Sequence, residues 1–98
     1  MSVIAVDAMG GDRAPEEIVR GAIDASHNGT EIVLVGDTPR VEAILGDAGA
    51  DLPVVHAGEV IEMADDPARA IREKKDSSIS VAARLVADGS VQGMVSAG

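Results

Sequence analysis

Four short apolar runs, each closed by a glycine or an aspartate turn, constrain the fold of this chain most strongly. We predict strands near residues 3–7, 31–35, 53–57 and 92–96, because Val- and Ile-rich runs that stop at such turns are typical of buried strands. Segments with apolar residues at helical spacing lie between them, and this alternation predicts βαβ units with right-handed crossovers. The predicted fold class is therefore α/β, a largely parallel sheet with helices on its faces.

The helical segments begin and end at recognisable signals. Three kinds of residue are common at helix N-termini. Proline has the backbone angle of a first helical turn, acidic residues interact favourably with the helix dipole, and hydroxyls accept hydrogen bonds from the unpaired N–H groups. The predicted helices begin at Pro15 with Glu16 and Glu17, at a Thr38 cap followed by Pro39, at Asp66-Pro67, and at a cap formed by Ser77 or Ser78. The first of these helices is predicted to reach about Ser26, and Asn28-Gly29 to end it. The second is predicted to end at Gly49. The last is predicted to face inward through Val81, Ala82, Leu85 and Val86 until Gly89.

The hydrophobic residues make up 46% of the chain but include no Phe, Tyr or Trp. Any core must therefore be built from Val, Ile, Leu, Met and Ala, and small side chains bury less apolar area each. Such a core is thin for an independent domain of 98 residues. The strand at the end of the chain has no capping element after it, so we expect the sheet to continue and residues 1–98 to be one part of a larger α/β domain.

The charge and the residue types exclude several classes of protein. The chain has 17 acidic against 8 basic residues and a net charge of -9, which argues against a nucleic-acid partner because phosphate backbones bind clustered positive charge. With no cysteine there is no disulfide, thiolate metal site or cysteine nucleophile, which fits a cytoplasmic setting. No apolar run approaches the roughly 18 residues of a membrane span, and the N-terminus lacks a basic signal-peptide region. We expect a protein that is neither exported nor membrane-spanning.

Candidate binding residues follow the predicted strands, because open parallel sheets bind ligands outside the carboxyl ends of their strands. Gly10-Gly11 would let backbone N–H groups approach an anion, although a glycine turn needed only for its backbone angles is equally compatible. Asp7 and Asp12 could act as acid, base or metal ligand, or could simply cap the loop. The glycine patterns of dinucleotide-binding and triphosphate-binding loops are both missing.

Positive charge is concentrated in one short segment. Half of the basic residues, Arg69, Arg72, Lys74 and Lys75, lie within seven positions. A solvated helix face is the plain interpretation, but Lys75 leads into Asp76-Ser77-Ser78, where hydroxyls and a helix N-terminus could share a phosphate with it. His56 is predicted to be a buried core histidine and His27 to face solvent, and no spacing predicts a metal site.

Six motifs in order carry a resemblance to a known family. They are Ile4 to Asp12, Ala14-Pro15, Val35-Gly36-Asp37, Glu59 to Met63, Lys74 to Ser78, and Val95 to Gly98. Together they resemble the N-terminal part of the bacterial phosphate acyltransferase family of phospholipid synthesis, PlsX. The resemblance covers the whole chain but only part of the longer family sequence, which continues after Gly98 into an Asn-Thr-Gly-Ala type loop.

This resemblance implies transfer of a long acyl chain from acyl carrier protein to inorganic phosphate, with no cofactor. The acyl phosphate produced would serve a downstream glycerol 3-phosphate acyltransferase. It also implies a three-layer α/β/α fold similar to isocitrate and isopropylmalate dehydrogenases, a cytoplasmic homodimer, and peripheral membrane contact through later parts of the family chain. The isolated segment is expected to be inactive.

No catalytic residue is assigned, and the predicted substrate and phosphate site comprises Asp7, Gly10, Gly11, Asp12, Lys75, Asp76, Ser77, Ser78, Ser96 and Gly98. Two alternatives stay open at this point: a phosphate acetyltransferase-like enzyme that uses acyl coenzyme A, and a noncatalytic anion-binding domain.

Overall fold

A computed structural model describes residues 2–10, 14–58 and 77–96 of the chain. The elements, in chain order, are β1 (Val3–Asp7), α1 (Glu16–His27), β2 (Glu31–Gly36), α2 (Thr38–Ala48), β3 (Val54–His56), α3 (Ser78–Ala87) and β4 (Gly93–Val95). All four predicted strands are confirmed, with ends that differ by at most one residue. The helix predicted at Asp66-Pro67 and the motif Glu59 to Met63 lie outside the described residues.

The four described strands form one parallel sheet in the order β3-β2-β1-β4. Val6 in β1 pairs with Leu34 in β2 on one side and with Val95 in β4 on the other. Helices α1 and α2 pack on one face and α3 on the other, so the layers are α/β/α. The predicted fold class is confirmed.

Both faces of the sheet are covered because successive residues of a strand point in opposite directions. In β2, Ile32 and Leu34 pack against α1 and α2, whereas Val33 and Val35 face α3. This confirms the prediction that the continuous apolar run of β2 is a strand with a helix on each side. The helices contribute Val19, Ala22, Ile23, Val41 and Leu45 to the first face, and Val81 and Ala82 to the second.

Helix α1 begins one residue later than its proline suggested. Pro15 is the residue that precedes the helix, and Glu16 and Glu17 form its first turn, where carboxylates suit the positive end of the dipole. The helix ends at Asn28-Gly29 as predicted, with Gly29 at a φ of 95°. Gly49 also ends α2 as predicted, in the left-handed conformation that glycine adopts without strain.

Two predictions near the start of α2 are wrong. Thr38 does not cap the helix, because Asp37 precedes it and Thr38 is its first residue. His56 is exposed rather than buried in the core, since it lies at the carboxyl end of β3, where α2 begins. Its Nδ1 accepts a hydrogen bond from the Thr38 backbone N–H at 3.4 Å. The His56 imidazole on β3 thus gives a partner to one of the N–H groups at the start of α2 that have no acceptor within the helix.

The start of α3 agrees with the sequence, whereas its inward face is narrower than predicted. Ser77 is the N-cap, and its hydroxyl accepts a hydrogen bond from the Ser80 backbone N–H. Val86 was predicted to face inward but is exposed. Each helical residue advances about 100°, so Val86 lies roughly 140° around the helix from Val81, at the margin of the stripe.

Replacing Ser77 with alanine is expected to lower the free energy of unfolding by about 1 kcal/mol, because the cap of α3 is lost. Urea unfolding followed by circular dichroism measures this change. Ser2→Ala, at an exposed serine outside any helix, is the matched control and should leave stability unchanged. Equal midpoints for the two variants would contradict a capping role for Ser77.

Candidate anion site at the carboxyl edge of the sheet

The strand order creates one place where the direction of connections reverses. The chain passes from β1 outward to β2 and β3, and then returns to place β4 on the other side of β1. In open α/β sheets, ligands bind outside the carboxyl ends of the strands at such a reversal. The described residues there are the Asp7–Gly10 loop and Ser96, which we call the switch-point cluster.

Asp7 joins the two halves of this cluster. Asp7 is only 3% exposed, and its Oδ1 accepts hydrogen bonds from the backbone N–H groups of Met9 (3.0 Å) and Gly10 (3.1 Å). Its Oδ2 accepts a hydrogen bond of 2.7 Å from the Ser96 hydroxyl. The loop-capping alternative for Asp7 is therefore confirmed, and the same carboxylate ties the loop after β1 to the residue that follows β4.

The loop after β1 also packs closely on the end of β2. The backbone N–H of Ala8 donates to the Val35 carbonyl at 2.8 Å. A Cβ at Gly36 would lie 3.0 Å from Met9 Cγ and 3.3 Å from Ala8 Cβ, so any larger residue would require this loop to shift by a few tenths of an ångström. In the sequence, Gly36 stands out only as part of the motif Val35-Gly36-Asp37, because its packing role depends on the loop that lies above it.

Three buried serines form the N-terminal turn of α3. The Ser77 hydroxyl donates to Ser80 Oγ at 2.9 Å while accepting from the Ser80 N–H, and Ser78 begins the helix beside them. Because α3 leads into β4, its C-terminus lies at the amino edge of the sheet and its N-terminus points toward the carboxyl edge. Ser80 was not among the predicted site residues, and the signal that could have found it is its position three residues after the Ser77 cap, where the N–H bonded by a capping side chain lies.

The N-termini of the described helices create a positive electrostatic potential at this edge of the sheet. Helices α1 and α2 each follow a strand, and α3 returns from the carboxyl edge, so all three direct their N-termini to one side of the sheet. A helix N-terminus carries roughly half a positive charge from its unpaired N–H groups. Three such ends on one side counteract the acidic composition locally and favour an anion there.

The structure brings together part of the predicted site. Asp7, Gly10 and Ser96 are linked by hydrogen bonds, and Ser77 and Ser78 lie at the end of α3 that faces the same edge. The other predicted site residues, Gly11, Asp12, Lys75, Asp76 and Gly98, lie outside the described residues. Within residues 2–10, 14–58 and 77–96, no three His, Asp or Glu side chains converge as a metal site would require.

Comparison with known proteins identifies the family. The family model described as "Fatty acid synthesis protein" matches residues 2–98. The chain belongs to this fatty acid synthesis protein family. The resemblance that the ordered motifs suggested is confirmed.

Similar proteins of this family carry the name phosphate acyltransferase. The one from Anaeromyxobacter dehalogenans is 56% identical over 99 residues, which cover 97% of this chain and 27% of the relative. Those from Desulforamulus reducens and Pelotomaculum thermopropionicum are 52% and 53% identical, over 100% and 97% of this chain and 30% and 29% of their own lengths. The chain thus spans less than a third of each of these relatives.

In the part of the chain that the structure describes, no helix is long and apolar enough to cross a membrane.

Proposed function

We propose that this chain supplies the N-terminal, phosphate-binding part of an acyltransferase that moves a long acyl chain from acyl carrier protein to inorganic phosphate. The observation that carries the proposal is the hydrogen bond between Asp7 and Ser96 at the switch point. It holds two loops together where an α/β sheet binds its ligand. The names of the relatives support phosphate as the acceptor.

Within the proposed site, the residues divide by chemistry. An ionised carboxylate only accepts hydrogen bonds, and both oxygens of Asp7 already accept them. Asp7 therefore positions the loop while donors contact the phosphate. We assign phosphate contact to Gly11, Lys75 and Ser78. The Gly10 N–H and the Ser77 hydroxyl already donate to Asp7 Oδ1 and to Ser80 Oγ, so these two residues support the site without donating to phosphate. Asp12, Asp76, Ser96 and Gly98 are kept as residues of the same site.

The reaction needs no nucleophile from the protein. A phosphate oxygen attacks the thioester carbonyl carbon, the new C–O bond forms, and the C–S bond then breaks to release a thiolate that takes up a proton. A thiolate is a good leaving group, so the protein has mainly to position the phosphate and stabilise the tetrahedral oxyanion. The absence of cysteine from the chain is compatible with this direct route.

The finer parts of the proposal rest on the family resemblance. They are acyl carrier protein as donor, a glycerol 3-phosphate acyltransferase as consumer of the product, and a cytoplasmic homodimer with peripheral membrane contact through family segments beyond this chain. The acidic composition implies that an acidic carrier protein docks mainly on surfaces other than this chain, since like charges oppose association.

A chimera tests the proposed function. This chain replaces the matching segment of the Anaeromyxobacter dehalogenans relative, with which it shares 56% identity. The chimera is incubated with palmitoyl-acyl carrier protein and phosphate, and acyl phosphate is trapped with hydroxylamine. We expect trapped product that depends on phosphate. A folded chimera without product, beside an active relative, would contradict the proposal, and a preference for palmitoyl coenzyme A would favour the alternative donor.

Lys75→Ala in this chimera is expected to raise the KM for phosphate or to lower turnover. The loss of a charge-assisted hydrogen bond to phosphate should cost about 1.5 to 3 kcal/mol of binding or transition-state stabilisation. Steady-state kinetics at varied phosphate measures the effect. The adjacent Lys74→Ala is the matched control and should change phosphate kinetics little. Equal kinetics in the two variants would make Lys75 an ordinary surface lysine.

A further inference from the structure

Asn28 and Gly29, at the end of α1, carry a chemistry that the proposed function does not use. Asn28 is the only asparagine in the chain and directly follows the last turn of α1. It is exposed, and the glycine after it has a φ of 95°. A side-chain amide reacts most readily with the backbone nitrogen of a following glycine, because glycine has no Cβ to shield that nitrogen.

The reaction is an intramolecular deamidation. The Gly29 nitrogen attacks Cγ of Asn28, a bond forms between these two atoms, and the bond between Cγ and Nδ2 breaks. The proton of the Gly29 N–H passes through solvent to the leaving nitrogen, which departs as ammonia. Water then opens the cyclic imide at either carbonyl and leaves aspartate or isoaspartate, so water is the only co-reactant.

The folded end of α1 holds the two reacting groups apart. Asn28 Nδ2 donates a hydrogen bond of 3.1 Å to the Asp24 carbonyl, which turns the side chain back along the helix. The Gly29 N–H donates to the Ser26 carbonyl, also at 3.1 Å, so its proton is held by an acceptor. Both bonds must open before the imide can form.

We propose that Asn28 is a site of spontaneous deamidation and that the hydrogen bonds at the end of α1 set its rate. Helix ends open at a small cost in free energy, so the folded chain is converted slowly rather than not at all. The product weakens the same end of the helix. A carboxylate cannot donate to the Asp24 carbonyl, and it adds negative charge at the negative end of the helix dipole.

The end of α3 provides an internal comparison. Asp88 follows this helix, and Gly89 after it has a φ of 82°, so an aspartate stands here in the same arrangement. Asp88 could form the same imide by loss of water. Hydrogen bonds from the hydroxyl and the backbone N–H of Ser90 hold the pKa of the Asp88 carboxyl below its ordinary value. An ionised carboxylate is a poor electrophile, so Asp88 should isomerise more slowly than Asn28 deamidates.

The test follows Asn28 in the purified chain during incubation in mildly alkaline buffer, with and without enough urea to unfold it. Peptide mapping by mass spectrometry distinguishes aspartate from isoaspartate at positions 28 and 88. We expect conversion of Asn28 in urea and roughly tenfold slower conversion in the folded chain, equivalent to about 1.4 kcal/mol for opening the helix end. Absent conversion in urea, equal rates with and without urea, or faster conversion at Asp88 would each overturn the proposal.

A matched pair of variants tests the part that the helix end plays. His27 is exposed and lies in the last turn of α1, beside Asn28. His27→Gly and His27→Ala both remove the imidazole, but only glycine destabilises the turn. The folded glycine variant should deamidate about fivefold faster than the folded alanine variant, with equal rates in urea. Circular dichroism confirms that both variants are folded at the start. Equal rates in the folded variants, or the same difference in urea, would overturn control by the helix end.

Discussion

Replacing Asp7 with alanine is expected to lower the free energy of unfolding by about 3 to 4 kcal/mol. The change removes the acceptor of three hydrogen bonds, from the Met9 N–H, the Gly10 N–H and the Ser96 hydroxyl, at a position that is nearly closed to water. Buried donors without partners cost more than the bonds themselves contribute. Urea unfolding of the two proteins, with identical slopes, measures the difference.

Asp7→Asn is the matched variant for this prediction. Its side-chain oxygen can accept from the Met9 and Gly10 N–H groups, and its amide can donate to the Ser96 hydroxyl, so about 1 kcal/mol of loss is expected. Ser96→Ala should cost a similar amount, because it removes one bond of the three. If the alanine and asparagine variants were equally stable, the hydrogen bonds of Asp7 would not hold the two loops together.

Leu34→Ala is expected to cost about 2 to 5 kcal/mol, a large part of the roughly 5 to 15 kcal/mol that stabilise a domain. Leu34 is fully buried in β2 and belongs to the core beneath α1 and α2. Its neighbours in this core include Val19, Val41 and Leu45, and after the substitution they would face a cavity that the surrounding structure fills only in part. Thermal unfolding should show a clear decrease in Tm, by several degrees for each kcal/mol.

Leu85→Ala provides the comparison, since it is the same substitution at a half-buried position on α3. Less apolar area is lost there and alanine suits a helix, so the decrease in stability should be clearly smaller than for Leu34. Equal decreases for the two variants would contradict the assignment of Leu34 to the centre of the core.

The sequence predicts the elements of this fold well because each carries its own signal. Val- and Ile-rich runs mark the strands, Gly29 and Gly49 end their helices, and Ser77 caps α3, all through contacts between near neighbours in the chain. The errors at Thr38 and Val86 are local, by one position at a helix start and at the margin of a helix face, whereas the error at His56 occurs where distant segments meet. The environment of His56 depends on where α2 begins beside β3, which no local pattern encodes.

In the candidate site too, the positions of residues along the chain were predictable, whereas contacts between distant residues were not. Asp7 and Ser96 were predicted at the carboxyl ends of strands, but their hydrogen bond joins residues 89 positions apart and requires β4 to lie beside β1. Strand order follows from how crossovers pack, so these contacts become visible only in three dimensions.

Titration of the isotopically labelled chain with inorganic phosphate, followed by amide chemical shifts, tests the central claim that an anion binds at the switch point. We predict saturable shifts at Gly10, Ser78 and Ser96, at the carboxyl edge of the sheet. The amides of Thr30 and Ala50, at the opposite edge, should remain unchanged and serve as internal controls. Shifts of equal size at both edges, or none at the carboxyl edge, would contradict the claim.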